Sequence, residues 1–160
     1  MKWHRMAAEQ GYLQAITNLG RIYNYGFGHG GLSSPQDYEQ AVKWYRLAAE
    51  QGDANSQNKL GTRYRKGQGV PQDYVQAVKW YRMAAEQGDT IAQTNLGSMY
   101  DKGRGVPQDY VLAHMWENLA SAGGNEIGRE FRDSIAAKMT PAQIAQAQQL
   151  ARDWKPTPPK

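Results

Sequence analysis

The chain of 160 residues contains no cysteine and only two phenylalanines. Without cysteine, disulfide bonds and metal sites with thiolate ligands are excluded. No apolar run approaches the roughly 18 residues that suggest a membrane-spanning helix, and the N-terminus has no apolar signal-peptide core. We therefore expect a soluble protein. A cytoplasmic location is favoured, and a truncated N-terminus would allow a periplasmic or secreted one.

An excess of charge of one sign is also lacking, since 19 Lys and Arg stand against 15 Asp and Glu, for a net charge of +4. The cationic side chains are spread along the chain, which is typical of solvated helix faces rather than of a nucleic-acid-binding surface. Arg82 and Glu86, for example, have the spacing of an ion pair on a helix face. We expect no nucleic-acid partner.

The aromatic residues reveal an internal repeat. Trp44, Trp80 and Trp116 are spaced 36 residues apart. Residues 37–52 and 73–88 are nearly identical in sequence, residues 1–11 match their second half, and residues 109–124 form a diverged copy. Five extra residues lengthen the first copy between Gly26 and Pro35. A chain with this period is typical of stacked helical repeats.

Each repeat is predicted to begin with a helix such as residues 54–66. Gly67 follows it and suits the left-handed position after a helix end. A glycine inside the helix costs about 1 kcal/mol relative to alanine. Its recurrence as Gly20, Gly61 and Gly97 therefore predicts close approach by a neighbouring helix.

The second helix of each repeat is predicted to follow a proline turn. Asp73 with Gln76 has the spacing of a capping box at its start. Its apolar residues recur at three- and four-residue steps, and Trp80 and Met83 widen the apolar surface to a second side. One side would pack within the repeat and the other against the next repeat, as in a solenoid.

The repeat pattern fades after Asn125. A helix is predicted over residues 126–138, and Thr140 then opens a final helix through a capping box, with proline at its first position. The apolar residues of the first of these helices are Ile127, Phe131 and Ile135. We interpret residues 125–154 as a helical cap and residues 155–160 as a flexible tail.

The predicted fold class is all-α: a right-handed α-α superhelix, or solenoid, of 36-residue helix-turn-helix repeats. A single domain would comprise residues 1–154, divided into a half repeat 1–11, repeats 12–52, 53–88 and 89–124, and the C-terminal cap 125–154. Met1 aligns with Val42 and Val78, so the chain opens inside a second helix. An expression fragment or a misplaced start, a half-repeat cap, or an end that pairs with another subunit would each explain this, so we expect a monomer or a dimer through the open N-terminal end.

Motifs for catalysis or cofactor binding are absent or out of context. Gly26, Gly28 and Gly31 fit the spelling of a dinucleotide-binding loop, but a predicted helix rather than a strand precedes them. The three histidines, His4, His29 and His114, take different places in the repeat, which argues against a shared metal site or a catalytic dyad. We expect no enzyme activity, no cofactor and no metal.

The third copy is the most diverged, and two of its substitutions place polar residues at positions that are apolar or aromatic in the other copies. His114 stands where the earlier copies have valine, and Glu117 stands where they have tyrosine.

Residues 60–88 read Leu-Gly-x-x-Tyr-x-x-Gly-x-Gly-Val-Pro-x-Asp-Tyr and then Ala-x-x-Trp-Tyr-x-x-Ala-Ala-x-x-Gly. They resemble the Sel-one-like repeat (SLR) family, relatives of the tetratricopeptide repeats with a longer period. The resemblance implies a non-enzymatic scaffold or adaptor that binds a protein or peptide partner on a concave face. Two alternatives come with it: an immunity or inhibitor protein that neutralises a secreted toxin, and a cell-wall-associated protein that binds or hydrolyses peptidoglycan or β-lactams.

In the related tetratricopeptide scaffold the first helices of the repeats form the concave surface. Leu19, Leu60 and Leu96 place the corresponding positions in this chain. The predicted partner-binding residues are Thr17, Arg21, Asn24 and Tyr25; Asn58, Thr62, Arg65 and Lys66; and Thr94, Ser98, Asp101 and Lys102. Such a polar trough with a cationic rim suits an extended peptide with acidic side chains. The alternative is that these residues simply face water.

Overall fold

The computed structural model describes residues 6–8, 11–25 and 34–158. Within these ranges the secondary structure is entirely helical, which confirms the all-α prediction. Residues 6–8 are helical. They are followed by eight helices: α1 (Leu13–Asn24), α2 (Pro35–Glu50), α3 (Ala54–Lys66), α4 (Tyr74–Glu86), α5 (Thr90–Lys102), α6 (Tyr110–Ala122), α7 (Glu126–Ala136) and α8 (Pro141–Asp153).

The helices belong to two compact units, one reaching to Ala77 and the other running from Val78 to Pro158. In the first unit α2 packs against both α1 and α3. In the second unit α6 packs against α5, α7 and α8, and α5 also contacts α7. The unit boundary lies inside α4, and a single domain over residues 1–154 stays a prediction.

The first helices of the second and third repeats, α3 and α5, start and end at the capping residues that the sequence predicts. Asp53 caps α3 by accepting a hydrogen bond from the Ser56 N–H at 2.7 Å, and Asp89 caps α5 in the same way. The α3 helix ends at Gly67, whose φ of +65° lies in the left-handed region. Local capping chemistry is therefore sufficient to define these helices.

The start of α4 differs from the predicted capping box in one respect. The Gln76 N–H donates to Asp73 Oδ1 at 2.9 Å, as predicted. The Asp73 N–H, however, donates to the Tyr64 carbonyl oxygen rather than to the Gln76 side chain. Asp109 pairs with the Tyr100 carbonyl in the same way. The cap residue thus joins the second helix to the end of the first.

The second helix of the first copy starts earlier than those of the other copies. Ser34 forms a reciprocal capping box with Asp37, and Pro35 occupies the first helical position. The later copies have Val70 and Val106 before their proline. Valine has no side-chain acceptor for the free N–H groups of a helix start, so those helices begin only after the aspartate.

Two hydrogen bonds recur from one repeat to the next. The buried amides of Gln57 and Gln93 donate to the carbonyl oxygens of Ala49 and Ala85 at 3.1 and 3.2 Å. The Arg82 guanidinium donates to the Tyr100 hydroxyl at 2.6 Å, and Arg46 does the same with the Tyr64 hydroxyl. The ion pair predicted between Arg82 and Glu86 is not formed, because the arginine reaches the following helix instead.

Burial along α4 confirms that Trp80 belongs to the buried surface and corrects the prediction that Met83 does. Trp80 is 8% exposed, whereas Met83 is 37% exposed. The buried residues of α4 occupy one continuous arc of the helix, and Met83 lies beyond the edge of that arc. Position 83 therefore does not contribute a second buried side.

The apolar residues of α7 are also less buried than the sequence suggests. Ile135 is 3% exposed, but Ile127 and Phe131 are 56% and 44% exposed. Each four-residue step advances about 40° around a helix. The apolar stripe therefore winds away from the side of α7 that contacts α5 and α6.

The chain continues beyond α8 in a non-helical conformation. The Trp154 ring packs edge-on against Trp116 at a centroid distance of 6.3 Å. The Thr157 N–H donates to the Glu86 carbonyl oxygen at 2.7 Å. The flexibility of residues 155–160 stays a prediction, because it concerns motion.

Candidate functional site

The predicted partner-binding residues lie on the first helices of the repeats. Thr17, Arg21 and Asn24 are on α1 and Tyr25 directly follows it; Asn58, Thr62, Arg65 and Lys66 are on α3; Thr94, Ser98, Asp101 and Lys102 are on α5. Arg21, Tyr25, Lys66 and Lys102 are exposed. Asn58 and Thr94 are buried, at 3% and 8% exposure, which argues against their direct contact with a partner. Binding by the whole set stays a prediction.

In the first unit two residues of this set, Arg21 and Tyr25, lie near the buried Tyr45. Burial raises the pKa of Tyr45, and the nearby Arg63 guanidinium partly offsets that effect. Tyr25 and Arg21 also lie close enough to act on the Tyr45 hydroxyl. The Arg63 guanidinium itself is mostly buried and lies 4.9 Å from the centre of the Tyr38 ring.

In the second unit three predicted residues line a common cavity of about 50 Å³. Ser98, Asp101 and Lys102 contribute the α5 side. The remaining wall consists of Glu117 from α6 and of Phe131, Ser134 and Ile135 from α7. The cavity therefore combines a carboxyl group, hydroxyl groups and an apolar wall, and we take it as the candidate site of this unit.

Glu117 is the most unusual residue of this cavity. Its side chain is fully buried, and neither carboxyl oxygen has a hydrogen-bond partner among the described residues. The Thr94 hydroxyl is close enough to lower the pKa slightly, but its oxygen is not in hydrogen-bonding geometry with any group. Burial dominates, with Asp101 adding to it, and raises the pKa of Glu117 to about 9. At neutral pH the group is an uncharged carboxylic acid.

His114 lies almost one turn before Glu117 on the same helix. It is 2% exposed, and its Nδ1 atom has no hydrogen-bond partner in the part of the chain that the structure describes. Burial lowers the pKa of His114, Arg132 lowers it further, and Asp133 opposes them. His114 and Glu117, which replace the valine and the tyrosine of the earlier copies, are thus both buried polar groups.

The sequence carries a signal for these two residues, although that signal does not by itself predict a site. They stand out as substitutions in the third copy. Position in the repeat alone does not say that their polar atoms lack partners. That conclusion requires the packing of α5, α6 and α7.

The Asp101 carboxylate at the edge of the cavity is paired with a lysine. Lys138 Nζ lies 2.8 Å from Asp101 Oδ1, and this contact raises the pKa of Lys138. The same ammonium group lies 5.4 Å from the centre of the Tyr110 ring. Both partners are partly solvent-exposed, so the ion pair contributes little to stability.

Metal binding, the glycine motif and membrane spans are the other features that the sequence analysis addressed. Within residues 6–8, 11–25 and 34–158 no group of three His, Asp or Glu side chains is arranged to hold a metal ion. His4 and His29 lie outside the described ranges, as do Gly26, Gly28 and Gly31 and all of the predicted insertion except Ser34. None of the described helices has the length and apolar character to span a membrane.

The chain matches the Sel1 repeat over residues 1–12, 13–53, 54–89 and 90–125. Each matched segment ends one residue after the boundary predicted from the sequence. The comparison with curated proteins gave no match.

Two solved structures are similar. The crystal structure of a protective antigen of uropathogenic Escherichia coli strains, which displays an SLR fold, is 39% identical, with a TM-score of 0.88 over 96% of this chain and 32% of that one. A Sel1 repeat protein from Oxalobacter formigenes is 38% identical, with a TM-score of 0.68 over 78% of this chain and 91% of that one. The chain thus spans about a third of the E. coli protein. With these matches across its repeats, the chain belongs to the Sel1 repeat family and has that family's α-α solenoid fold.

Proposed function

We propose that the chain is a non-enzymatic interaction module that binds a protein or peptide partner through the polar residues of α1, α3 and α5. Sel1 repeat proteins are in general helical scaffolds for protein interactions. The proposal adds a surface to this general role. The observation that carries it is the cavity of the second unit, in which Ser98, Asp101 and Lys102 lie beside an unpartnered Glu117.

The different exposure of side chains on the first and second helices of the repeats supports this proposal. Second helices contribute buried packing residues such as Tyr45, Trp80 and Ala84. First helices contribute exposed or partly exposed polar side chains such as Arg65 and Lys66. A rigid polar surface of this kind binds an extended segment through its backbone and its polar side chains.

The same cavity gives little support to catalysis. A serine nucleophile requires a base within hydrogen-bonding distance. Ser98 and Ser134 line the cavity, but neither hydroxyl is hydrogen-bonded to a histidine or a carboxylate in the described part of the chain. Glu117 lines the same cavity, and within the described residues its carboxyl oxygens are hydrogen-bonded to no nucleophile.

Affinity capture with purified full-length chain tests the proposal. The wild type is compared with the double variant Arg65→Glu/Lys66→Glu and with Lys43→Glu/Lys79→Glu, which makes the same change of net charge on the second helices. We expect the first variant to lose the captured partner and the control to retain it. Equal capture by all three chains would exclude the α3 surface. Turnover of muropeptides or β-lactams by the purified chain would contradict the non-enzymatic part.

A further inference from the structure

We propose that the cavity between α5, α6 and α7 is a lysine-recognition pocket, which takes the ammonium group and terminal methylenes of a partner's lysine side chain with Glu117 as counter-ion. This inference rests on the proposed function, because it names the side chain that the interaction surface would select. A partner with a lysine differs from the acidic peptide that the cationic rim of the polar trough alone would favour.

The unpartnered carboxyl group is the first argument. A buried polar group without a hydrogen bond is destabilising and uncommon in folded proteins. Both oxygens of Glu117 are in this state while its side chain is fully buried. The equivalent position of the first copy carries Tyr45. The third repeat therefore places an acid where its own pattern calls for an aromatic ring, and a ligand with several donors would satisfy it.

The shape of the cavity favours a primary ammonium group. About 50 Å³ accommodates a compact head group better than the planar fork of a guanidinium. An ammonium group has three donors, which Glu117 and the hydroxyls of Ser98 and Ser134 would accept. Phe131 and Ile135 form an apolar wall suited to the methylenes of a lysine side chain.

The charges around Glu117 define what an incoming ammonium would meet. From α5 the facing charges are Asp101 and Lys102, and Lys138 is paired with Asp101. From α7, Arg132 and Asp133 act on His114 rather than lining the cavity. The lining includes no residue of α8. A partner's lysine would therefore pair with Glu117 once that group is ionised, close to the Lys102 ammonium and to an Asp101 carboxylate already paired with Lys138.

Binding should be coupled to proton release. Glu117 is uncharged at neutral pH because its pKa is raised to about 9. An ammonium ion binds the ionised form, whose population grows about tenfold per pH unit below that pKa. A lysine side chain stays charged up to about pH 10. Affinity should therefore rise with pH up to about 9 and then level off.

The probe for the test is Nα-acetyl-lysine N-methylamide, with the norleucine analogue as the matched probe that lacks the amine. Both are titrated into the isotope-labelled full chain and followed by NMR at the amides of Gly97 and Ser134 and at the Glu117 carboxyl carbon. We expect the lysine probe alone to shift these signals, with an affinity that increases with pH.

Three variants make the test specific. Glu117→Gln removes the counter-ion and should weaken binding of the lysine probe at least about tenfold. Glu117→Tyr restores the residue of the earlier copies, fills the cavity and should abolish binding. Glu130→Gln makes the same chemical change at an exposed position of α7 and should bind like the wild type. Circular dichroism and melting curves verify that each variant is folded.

Equal shifts with lysine and norleucine probes, or binding unaffected by Glu117→Gln, would overturn the lysine pocket. Absence of any shift at saturating probe concentration would mean that the cavity holds only water, and would also overturn it. The proposed function is tested separately: partner capture that requires Arg65 and Lys66 but tolerates Glu117→Gln would keep the interaction surface and remove the lysine pocket.

Discussion

The carboxyl group of Glu117 lies against the backbone of Gly97, with Oε1 2.7 Å from the point at which a Cβ atom of residue 97 would stand. Tyr45 approaches Gly20 in the same way, with Cε1 at 2.6 Å from the corresponding point. The glycine of the first helix thus makes room for a large side chain from the second. The third repeat retains this packing and replaces the phenol with an acid.

This packing predicts unequal costs for two equivalent substitutions. Gly20→Ala should lower the free energy of unfolding by about 1–3 kcal/mol, because the Tyr45 ring has little freedom to move. Gly97→Ala should cost less, since the end of the Glu117 side chain can shift into the neighbouring cavity. Urea unfolding of both variants measures the difference. An equal or larger loss for Gly97→Ala would contradict the assigned geometry.

The raised pKa of Glu117 predicts a pH dependence of stability. The folded-state pKa of about 9 lies above the ordinary value of 4.5, so the folded state binds more protons than the unfolded state between these values. Stability should therefore fall as pH rises through that window, by up to about 1.4 kcal/mol per unit. Glu117→Gln should remove this slope. Urea unfolding of both proteins from about pH 5 to about pH 9 tests it, and parallel curves would show that Glu117 titrates normally.

His114 should make the folding stability depend on pH in the opposite direction, with stability lost in acidic solution. Its folded-state pKa is lowered from 6.5, so below that value the unfolded state takes up the proton more readily and stability is lost as pH falls. His114→Val, which restores the residue of the earlier copies, should be more stable than the wild type in this range and should show a shallower loss on acidification. Melting temperatures at mildly acidic and neutral pH provide the comparison. A difference between the two proteins that is independent of pH would exclude protonation as its cause.

The different exposure of Trp80 and Met83 predicts that truncating these two residues of α4 has very different effects on the free energy of unfolding. Trp80→Ala should lower the free energy of unfolding by about 3–5 kcal/mol, as for other buried aromatic residues. Met83→Ala serves as the control and should cost less than about 1 kcal/mol, since the side chain is 37% exposed. Chemical denaturation measures both, and similar losses would mean that the inward face of α4 is wrongly assigned.

The sequence predicted much of the secondary structure because the relevant interactions are local. The bounds of α3 agree with the prediction, as does the capping box of Thr140 and Gln143 at the start of α8. Caps, prolines and glycines act within a few residues of the backbone groups they satisfy. Where a non-local partner was available the prediction was incomplete: the Asp73 N–H bonds to Tyr64 and the Arg82 guanidinium to Tyr100.

The candidate site was only partly predictable. Ser98, Asp101 and Lys102, three of the predicted first-helix residues, line one cavity, while their role in binding stays a prediction. Glu117 was visible in the sequence as a departure from the repeat, but periodicity assigns it only to the packing side of its helix. Its missing hydrogen-bond partners and the shared cavity depend on side chains from three helices.

The sequence by itself determined the repeat period, the capped ends of α3 and α5 and the residues that join the helices, because these follow from local backbone chemistry and from the spacing of apolar side chains. Only the tertiary structure decided which polar groups are buried, and whether they find partners. Burial and desolvation arise from helices that are distant in sequence but packed together. The uncharged state of Glu117 beside the cavity is therefore a property of the packed second unit.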